Sequence, residues 1–479
     1  MGWKRDTCRF GIWAGVAFLF ASAALRGQVG VPAREGSGKV ITVDFGRQTG
    51  EIRPLHGVNG GPVDSGEVFD VSAYWRELEV PLARLNPWAF PDPYVVDMPL
   101  IFPLFHLDPD KPVNYSFAKT DEFIAAILKT RAQIVYRLGT TIEHSKRKYY
   151  IHPPADYDKW ARIAVNIIRH YNEGWADGFR HGIRYWEIWN EPNIPQMWTG
   201  SAEDYFRLYE TAVRAIKKYD ARLKVGGPAL AGWNDAYAEK FLSFCRERSL
   251  PLDFFSWHIY AVHPVELQQQ AVKVREALDR HGFTSTESHL NEWNHLPNRN
   301  FFKNRFSPTY MKRAFERING IEGAAFAASS LILFQDSPID AANFYTGDTL
   351  RWGLFANFGV PNKCYFAFKA FRALLDTPRR TACEGSDAAS GLAAAAGVAA
   401  DGGKATVLLS NFENSGRRFT IRMRNVPWQG RTIIETFALD AEHDLTRMSR
   451  ESGPAGELAI ELECPSPSVR LLKLSPAEE

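Results

Sequence analysis

The sequence lacks any block of like charge. Its 57 Lys and Arg residues nearly balance its 55 Asp and Glu residues, and charged residues make up 23% of the chain. Nucleic-acid-binding proteins carry clustered basic residues, and disordered tails carry runs of one sign. The even distribution of charge argues against a nucleic-acid partner and against any partner that is selected by bulk charge.

Cysteine is scarce and widely spaced. The five cysteines form no CxxC or CxxH pair, which argues against a zinc or redox site, and the sequence predicts neither a metal nor a cofactor. Export would permit one or two disulfides among Cys245, Cys364, Cys383 and Cys464. The pair Cys364 and Cys383 is the first to consider.

Long apolar runs are absent except near the N-terminus. Three basic residues among the first nine precede an apolar stretch over residues 11–25, which contains the small-x-small pattern Ala21-Ser22-Ala23. A membrane anchor is the alternative, but about 15 apolar residues fall short of the roughly 20 that a span requires. The pattern predicts a signal peptide over residues 1–27, a secreted or periplasmic protein, and no membrane span in the mature chain.

Strand and helix patterns alternate over residues 50–377. Amphipathic helical stretches, such as residues 160–171 and residues 205–216 with Ser201 as N-cap, separate eight strand candidates. This repetition predicts an α/β fold, a (β/α)₈ TIM barrel with long loops. A doubly wound nucleotide-binding sheet is a weaker interpretation because the first strand lacks a following G-x-G-x-x-G loop. The predicted strands are residues 55–59, 80–86, 133–138, 184–189, 224–227, 253–258, 288–291 and 325–334.

The pattern changes to short strands after residue 377. Residues 391–400 are rich in alanine, but Asp401-Gly402-Gly403 follows them as a hairpin signal, so we expect strands there instead of a helix. Further short β runs, punctuated by proline and glycine, continue to the end. They predict an accessory all-β sandwich over residues 378–479. The N-terminal segment 28–49 contains a strand, residues 39–45, that is expected to join this sandwich.

Two glutamates stand at the ends of predicted barrel strands. Glu191 ends the stretch YWEIWNE after strand four, and Glu292 lies in SHLNEWN after strand seven. The carboxyl ends of barrel strands face the active site, so both side chains can point into one pocket. Cleavage of a glycosidic bond uses such a pair: one group protonates the leaving oxygen and the other attacks the anomeric carbon or activates water. A separation of about 5 to 5.5 Å would indicate a retaining reaction.

The string WEIWNEPN, residues 186–193, resembles the acid/base motif of clan A glycoside hydrolases, and more narrowly of glycoside hydrolase family 39. That family includes β-xylosidases and α-L-iduronidases. The resemblance extends from about residue 40 to the C-terminus. The other segments that carry it are residues 42–45, 53–59, 158–171, 256–260 and 352–368.

The resemblance implies a role for each matching residue. Glu191 would be the general acid/base and Glu292 the nucleophile. The substrate-binding residues would be Asn190, His56, Arg84, His258 and Tyr260. The chain departs from the family where many members carry a tryptophan platform after strand eight, and Asp336 or Trp352 is expected to take part of that place.

The sequence thus predicts a secreted, retaining glycosidase that acts on a carbohydrate, with exo action on xylose-like glycosides. The alternatives are an endo-acting polysaccharide hydrolase and a carbohydrate-binding protein that kept the fold without turnover. Glu187 shares a strand face with Glu191, and we expect it to lie lower in the barrel, paired with Arg84 or Arg137.

Overall fold

The computed structural model describes residues 39–63, 69–87, 94–349 and 351–477. The predicted signal peptide, residues 1–27, lies outside the described residues, as does the segment 28–38. Within the described part of the chain, no helix combines the length and the apolar character that crossing a membrane requires.

Eight parallel strands close into a barrel, which confirms the predicted TIM-barrel fold. Strand β1 (Lys39–Glu51) precedes the barrel and belongs to a second sheet. Each barrel strand pairs in parallel with its neighbours, and β2 closes the ring against β9. The barrel strands are β2 (Gly57–Asn59), β3 (Leu82–Arg84), β4 (Gln133–Leu138), β5 (Tyr185–Ile188), β6 (Lys224–Leu230), β7 (Phe254–Ala261), β8 (Glu287–His295) and β9 (Ala341–Phe344).

Amphipathic helices surround the barrel. The two predicted most clearly from periodicity are confirmed as α4 and α5, and Ser201 caps α5 in a reciprocal capping box with Asp204. The helices are α1 (Ser72–Leu78), α2 (Met98–Ile101), α3 (Ala118–Lys129), α4 (Tyr157–Asn172), α5 (Ala202–Tyr219), α6 (Asp235–Glu247), α7 (Pro264–Arg280), α8 (Pro308–Asn319), α9 (Ile321–Leu333) and α10 (Lys363–Leu375).

The prediction for strand eight is wrong. Residues 325–334 were expected to form it, but they lie mostly in the helix α9, and the eighth strand is β9, which follows that helix. Helix α9 packs between the barrel and the second sheet and is buried from Gly323 to Leu333. Because all of its sides are covered, it shows no polar face, and an apolar run without helical periodicity looks like a buried strand.

The second domain is a nine-stranded sheet in the order β15-β14-β17-β12-β11-β10-β1-β13-β16. The alanine-rich segment is a strand, as predicted, and pairs with its successor across the Asp401 hairpin. Strand β1 lies between β10 and β13, so the segment before the barrel is part of this sheet. Its strands are β10 (Arg379–Glu384), β11 (Leu392–Val398), β12 (Ala405–Asn411), β13 (Arg418–Arg424), β14 (Arg431–Leu439), β15 (Asp444–Pro454), β16 (Leu458–Glu463) and β17 (Ser468–Pro476).

All four cysteines in the described residues are free thiols. Cys364 lies in α10 and hydrogen-bonds the carbonyl of Ile318 at 3.2 Å, while Cys383 lies in β10. The pairing of Cys364 with Cys383 that was considered from the sequence is therefore not formed. The two domains are held together by packing and hydrogen bonds, such as those of Ser329 in α9 to Gly391 and Ser410 of the second sheet.

Candidate active site

Glu191 sits on a tight turn at the carboxyl end of β5. Trp189 and Glu191 both adopt left-handed backbone conformations, with φ of 70° and 49°, which cost of order 1–3 kcal/mol at residues other than glycine. The turn is held by two backbone hydrogen bonds, from Trp189 to Leu138 at 2.8 Å and from Glu191 to Ala229 at 2.9 Å. Both neighbouring strands therefore fix the direction of the Glu191 side chain.

Glu292 lies inside strand β8, beside a β-bulge. Trp257 pairs with Leu290, whereas the next residue, His258, pairs with Glu292, so Asn291 is an extra residue in β8. A regular strand would direct Asn291 and Glu292 to opposite faces. The bulge changes this alternation, and both side chains hydrogen-bond to groups inside the barrel.

The two predicted carboxylates meet in one pocket. Ligand atoms of Glu191, His258 and Glu292 all lie within 4.8 Å of one another. His258 Nδ1 lies 2.8 Å from Glu191 Oε1 and 3.5 Å from Glu292 Oε2. The Glu191 side chain is 14% exposed and that of Glu292 is 6% exposed. Glu191 is thus the more accessible of the two carboxylates.

Arg84 is the buried cation beneath the pocket. Its guanidinium donates to Glu292 Oε1 at 2.8 Å, to Asn190 Oδ1 at 2.6 Å and to Glu187 Oε2 at 2.7 Å. Burial alone would lower the pKa of Arg84, but the charges of Glu187 and Glu292 raise it above its ordinary value. Because Asn190 accepts from Arg84 through Oδ1, its Nδ2 amino group is left to donate toward a ligand.

Glu292 is held at both oxygens. Asn86 donates to Oε1 at 2.7 Å, beside Arg84, and the Tyr260 hydroxyl donates to Oε2 at 2.9 Å. Three donors on one carboxylate fix its position. Asn86 was not predicted as a site residue, although it stands two positions after Arg84, at the end of predicted strand two, where alternation brings it to the same side.

Burial shifts the pKa values of the pocket residues, upward for Glu191 and Tyr260 and downward for His258. It raises the pKa of Glu191 to about 7, against the opposing effect of Arg84. Burial also lowers the pKa of His258 to about 4, despite the nearby carboxylate of Glu292, so this imidazole is neutral at pH 7. Burial together with Glu292 raises the pKa of Tyr260 well above its ordinary value. The pocket therefore pairs a carboxyl group that holds its proton near neutral pH with a carboxylate bound to a cation.

Glu187 lies on the far side of Arg84 and is fully buried. It binds Arg84 at 2.7 Å, which confirms the predicted pairing. It also accepts a hydrogen bond from Asn291. The alternative partner, Arg137, instead binds Asp97 at 2.7 Å. Arg84 is thus neutralised from two sides, by Glu187 and by Glu292.

Glu191, His258 and Glu292 also have the spacing of a metal-binding set. The donor set fits a cation poorly. Both oxygens of Glu292 already accept hydrogen bonds, and the guanidinium of Arg84 would repel a second positive charge. The arrangement suits acid/base and nucleophilic chemistry instead.

Two predicted binding residues lie elsewhere. His56 precedes β2, bonds the carbonyl of Leu78 at 3.0 Å through Nε2 and packs on Phe371 of α10. It is a buried packing group between helices. Asp336 stands before β9, at the amino end of the barrel, where it is 64% exposed and pairs with Arg380. The misplaced strand eight explains the error for Asp336, since residues before a strand lie opposite the pocket.

Trp352 and Tyr345 form the aromatic wall behind Tyr260. The Trp352 ring lies edge-on to Tyr260 with centroids 5.4 Å apart, so Trp352 supports the pocket through Tyr260. Tyr345 directly follows β9 and lies 6.3 Å from Tyr260. It was missed because strand eight was assigned too early, and it occupies the strand-end position at which a platform residue was expected.

Comparisons with known proteins agree with this geometry. Residues 99–347, just over half of the chain, match the family described as Glycosyl hydrolases family 39. A β-xylosidase of Geobacillus stearothermophilus is 32% identical over 251 residues, which are 47% of this chain and 48% of that protein. The chain thus aligns with about half the length of that relative.

Two further relatives cover more of the chain. A β-xylosidase of Caldicellulosiruptor saccharolyticus is 26% identical over 379 residues, 69% of this chain and 70% of that protein. The crystal structure of a glucosidase from Croceicoccus marinus superposes with a TM-score of 0.79 and 26% identity, over 92% of this chain and 100% of that one. The family match over residues 99–347 establishes that the chain belongs to glycosyl hydrolase family 39.

Proposed function

We propose that this protein hydrolyses glycosides with retention of anomeric configuration, with Glu292 as nucleophile and Glu191 as acid/base. The observation that carries the proposal is the pair of carboxylates within 4.8 Å, one of them with a pKa raised to about 7. Retaining glycosidases hold their carboxyl groups about 5–5.5 Å apart, whereas inverting ones leave about 6.5–9.5 Å for a water molecule. The observed spacing supports the retaining reaction.

In the first step, Glu292 attacks the anomeric carbon and the bond to the leaving oxygen breaks. Arg84, Asn86 and Tyr260 hold the attacking carboxylate in place through hydrogen bonds. Glu191 gives its proton to the departing oxygen. Asn190 can donate from Nδ2 to a sugar hydroxyl, a contact that strengthens as positive charge develops on the ring.

In the second step, Glu191 has lost its proton and acts as the base for a water molecule. Water attacks the anomeric carbon on the face that the leaving group vacated, the bond between that carbon and Glu292 breaks, and Glu191 takes the proton from the water. Neutral His258 lies against Glu191 at 2.8 Å and can donate to its ionised form, which limits the cost of burying that charge.

Xylosides are the favoured substrates. Two relatives, 32% and 26% identical to this chain, are β-xylosidases. Glucosides are the second candidate, because the glucosidase of Croceicoccus marinus matches nearly the whole chain. We further propose that the protein is exported, a proposal supported by the signal-peptide pattern of residues 1–27.

A panel of aryl glycosides tests the function. We expect the xyloside to be hydrolysed fastest among the xyloside, glucoside, galactoside, arabinoside and iduronide, and proton NMR to show the retained anomer as first product. An inverted product would overturn the retaining mechanism. Long oligosaccharides as the first products from xylan would indicate endo action. A protein that binds glycosides but neither hydrolyses them nor is labelled by a 2-fluoro sugar would be non-catalytic.

Replacing Glu187 by glutamine is expected to lower kcat/KM by about 10- to 100-fold and to move the alkaline limb of its pH profile to lower pH. Glutamine keeps the shape but removes one of the two charges that offset Arg84. The less neutralised Arg84 then favours the ionised form of Glu191 more strongly. A rotated Asn291 amide can still bond the new side chain. Initial rates from pH 5 to 9 measure both effects.

The shift of the alkaline limb shows whether Glu187 acts through its charge or only through packing. Glu191 binds His258, and its pKa is lowered by the charge of Arg84, which in turn binds Glu187. A folded Glu187→Gln variant that is slower but keeps its alkaline limb unchanged would show that Glu187 acts by packing alone. Thermal unfolding of the variant establishes that it is folded.

A further inference from the structure

A second cavity opens at the carboxyl end of the barrel, beside the turn that carries Glu191. Its volume is about 310 Å³, the size of a small-molecule site. Gly139, which follows β4, and Trp189, which follows β5, are part of its wall. Trp189 precedes Glu191 by two residues, so their Cα atoms lie within about 8 Å.

The wall of this cavity is apolar and aromatic. Aromatic rings and prolines alternate along it, contributed by the segment around α2, the loop before α4 and the first turns of α4. Among the described residues that line it, none carries a charged or amide side chain. The lining rings include Phe102, Phe105, Tyr149, Tyr150 and Trp160.

The polar atoms in the wall are largely engaged with the chain. His152 bonds Thr199 Oγ1 at 2.7 Å through Nδ1 and the carbonyl of Lys148 at 3.0 Å through Nε2. Trp189 donates to the carbonyl of Met197 at 2.8 Å. A second sugar ring would leave several hydroxyls without partners, at about 1–3 kcal/mol for each buried group. An apolar ring avoids that cost and gains from burial.

The loop that carries the two tyrosines is anchored. Glu143 is 7% exposed, and its carboxylate accepts hydrogen bonds from the backbone of Tyr149 at 2.9 Å and of Tyr150 at 3.1 Å. The loop also bonds the segment after Glu191, since Glu143 donates its backbone N–H to Gln196 at 3.1 Å. The tyrosine side chains are more than half exposed, so a fixed backbone presents them to solvent.

We propose that this cavity is a leaving-group site that takes an aromatic or other apolar aglycone in place of a second sugar. The inference rests on the proposed glycosidase function. Glu191 protonates the leaving oxygen, so the leaving group lies on the Glu191 side of the pocket, and the cavity borders the turn that carries Glu191 through the side chain of Trp189. The lack of charged and amide groups in its wall selects against a sugar and for an apolar ring.

Paired substrates test the site. Methyl and benzyl xylosides release alcohols of nearly equal acidity, so they differ in the apolar ring and hardly in leaving-group chemistry. We expect kcat/KM of the native enzyme to be about tenfold or more higher for the benzyl xyloside. The variant Ala155→Trp fills the rim of the cavity, and Tyr150→Ala removes one ring. Both should bring the benzyl-to-methyl ratio toward one by lowering kcat/KM for the benzyl xyloside.

Phe306→Ala is the matched control. Phe306 is 82% exposed and lies after β8, four strands from β4 and so across the barrel, and its removal should keep the ratio. A ratio near one in the native enzyme, or a ratio that survives both Ala155→Trp and Tyr150→Ala, overturns the aglycone site and leaves the glycosidase function standing.

If neither xyloside is hydrolysed, the proposed xyloside hydrolysis is wrong, but the cavity is still untested. Ligand binding then tests the cavity. The probe is then 2-naphthylmethanol, followed by its fluorescence. Binding that weakens at least tenfold in Ala155→Trp but not in Phe306→Ala supports the cavity as an apolar site. Absent binding, or equal binding in both variants, overturns it.

Discussion

Replacing Glu292 by alanine is expected to lower kcat on the order of 10⁵-fold, because no other group can form the covalent intermediate. The truncation leaves a space beside Arg84, Asn86 and Tyr260, which all bind this carboxylate. Azide fits such a space and finds the same donors. It should restore turnover of activated aryl glycosides and give a glycosyl azide of inverted configuration, which NMR identifies.

The matched control for Glu292 is Glu287→Gln. Glu287 lies on the same strand but at its amino end, where it pairs with Lys224 at 3.0 Å and His289 at 2.9 Å. Its loss should lower the free energy of unfolding and leave kcat nearly unchanged. Comparable kcat losses in the two variants, or azide rescue that gives the retained anomer, would refute the role of Glu292 as nucleophile.

The pair of carboxylates in the candidate site could be predicted from the sequence because both come from the carboxyl halves of barrel strands or from their ends. Glu191 follows the apolar strand β5 and Glu292 lies in the second half of β8, and parallel strands in a closed barrel bring their carboxyl ends together whatever the sequence distance. Arg84 could be predicted as a partner for the same reason. The bulge at Asn291 could not be predicted, since one extra residue within a strand leaves no recognisable pattern in the sequence.

The errors for strand eight and for Asp336 have one physical cause. Burial on every side removes the periodic signal that separates helix from strand, and α9 is such a helix. Placing strand eight there moved the expected end of the strand from Tyr345 to Asp336, so an exposed ion-paired group was taken for a pocket residue. The error at His56 has a different cause. A histidine in an apolar stretch can be buried in the core as readily as in a binding site, and the sequence does not distinguish the two.

Removing the carboxyl group of Glu191 is expected to produce a loss that depends on the leaving group. Glu191→Ala should lower kcat/KM about 10³-fold for methyl or natural glycosides, within the range for lost general-acid catalysis. For a dinitrophenyl glycoside, which needs almost no protonation, the first step should slow by less than about tenfold. Added azide should then give a glycosyl azide of retained configuration. Equal losses of rate on both substrate types would contradict the assignment of Glu191 as the acid.

The pH dependence tests the same residue independently. Because burial raises the pKa of Glu191 to about 7, kcat/KM of the native enzyme for unactivated glycosides should fall as pH rises through 7, where Glu191 loses its proton.

The free energy of unfolding should depend on pH in the same direction. A carboxyl group with a raised pKa in the folded state contributes its full stability below pH 4.5, and this contribution is lost as pH rises through 7. The difference amounts to roughly 3 kcal/mol. Glu191→Gln should therefore lack the alkaline limb in unfolding free energy, measured by urea denaturation at pH 5 and pH 8. If the native protein and Glu191→Gln lost stability equally between these two values, the raised pKa would belong to another group and the proton for the leaving oxygen would have to come from elsewhere.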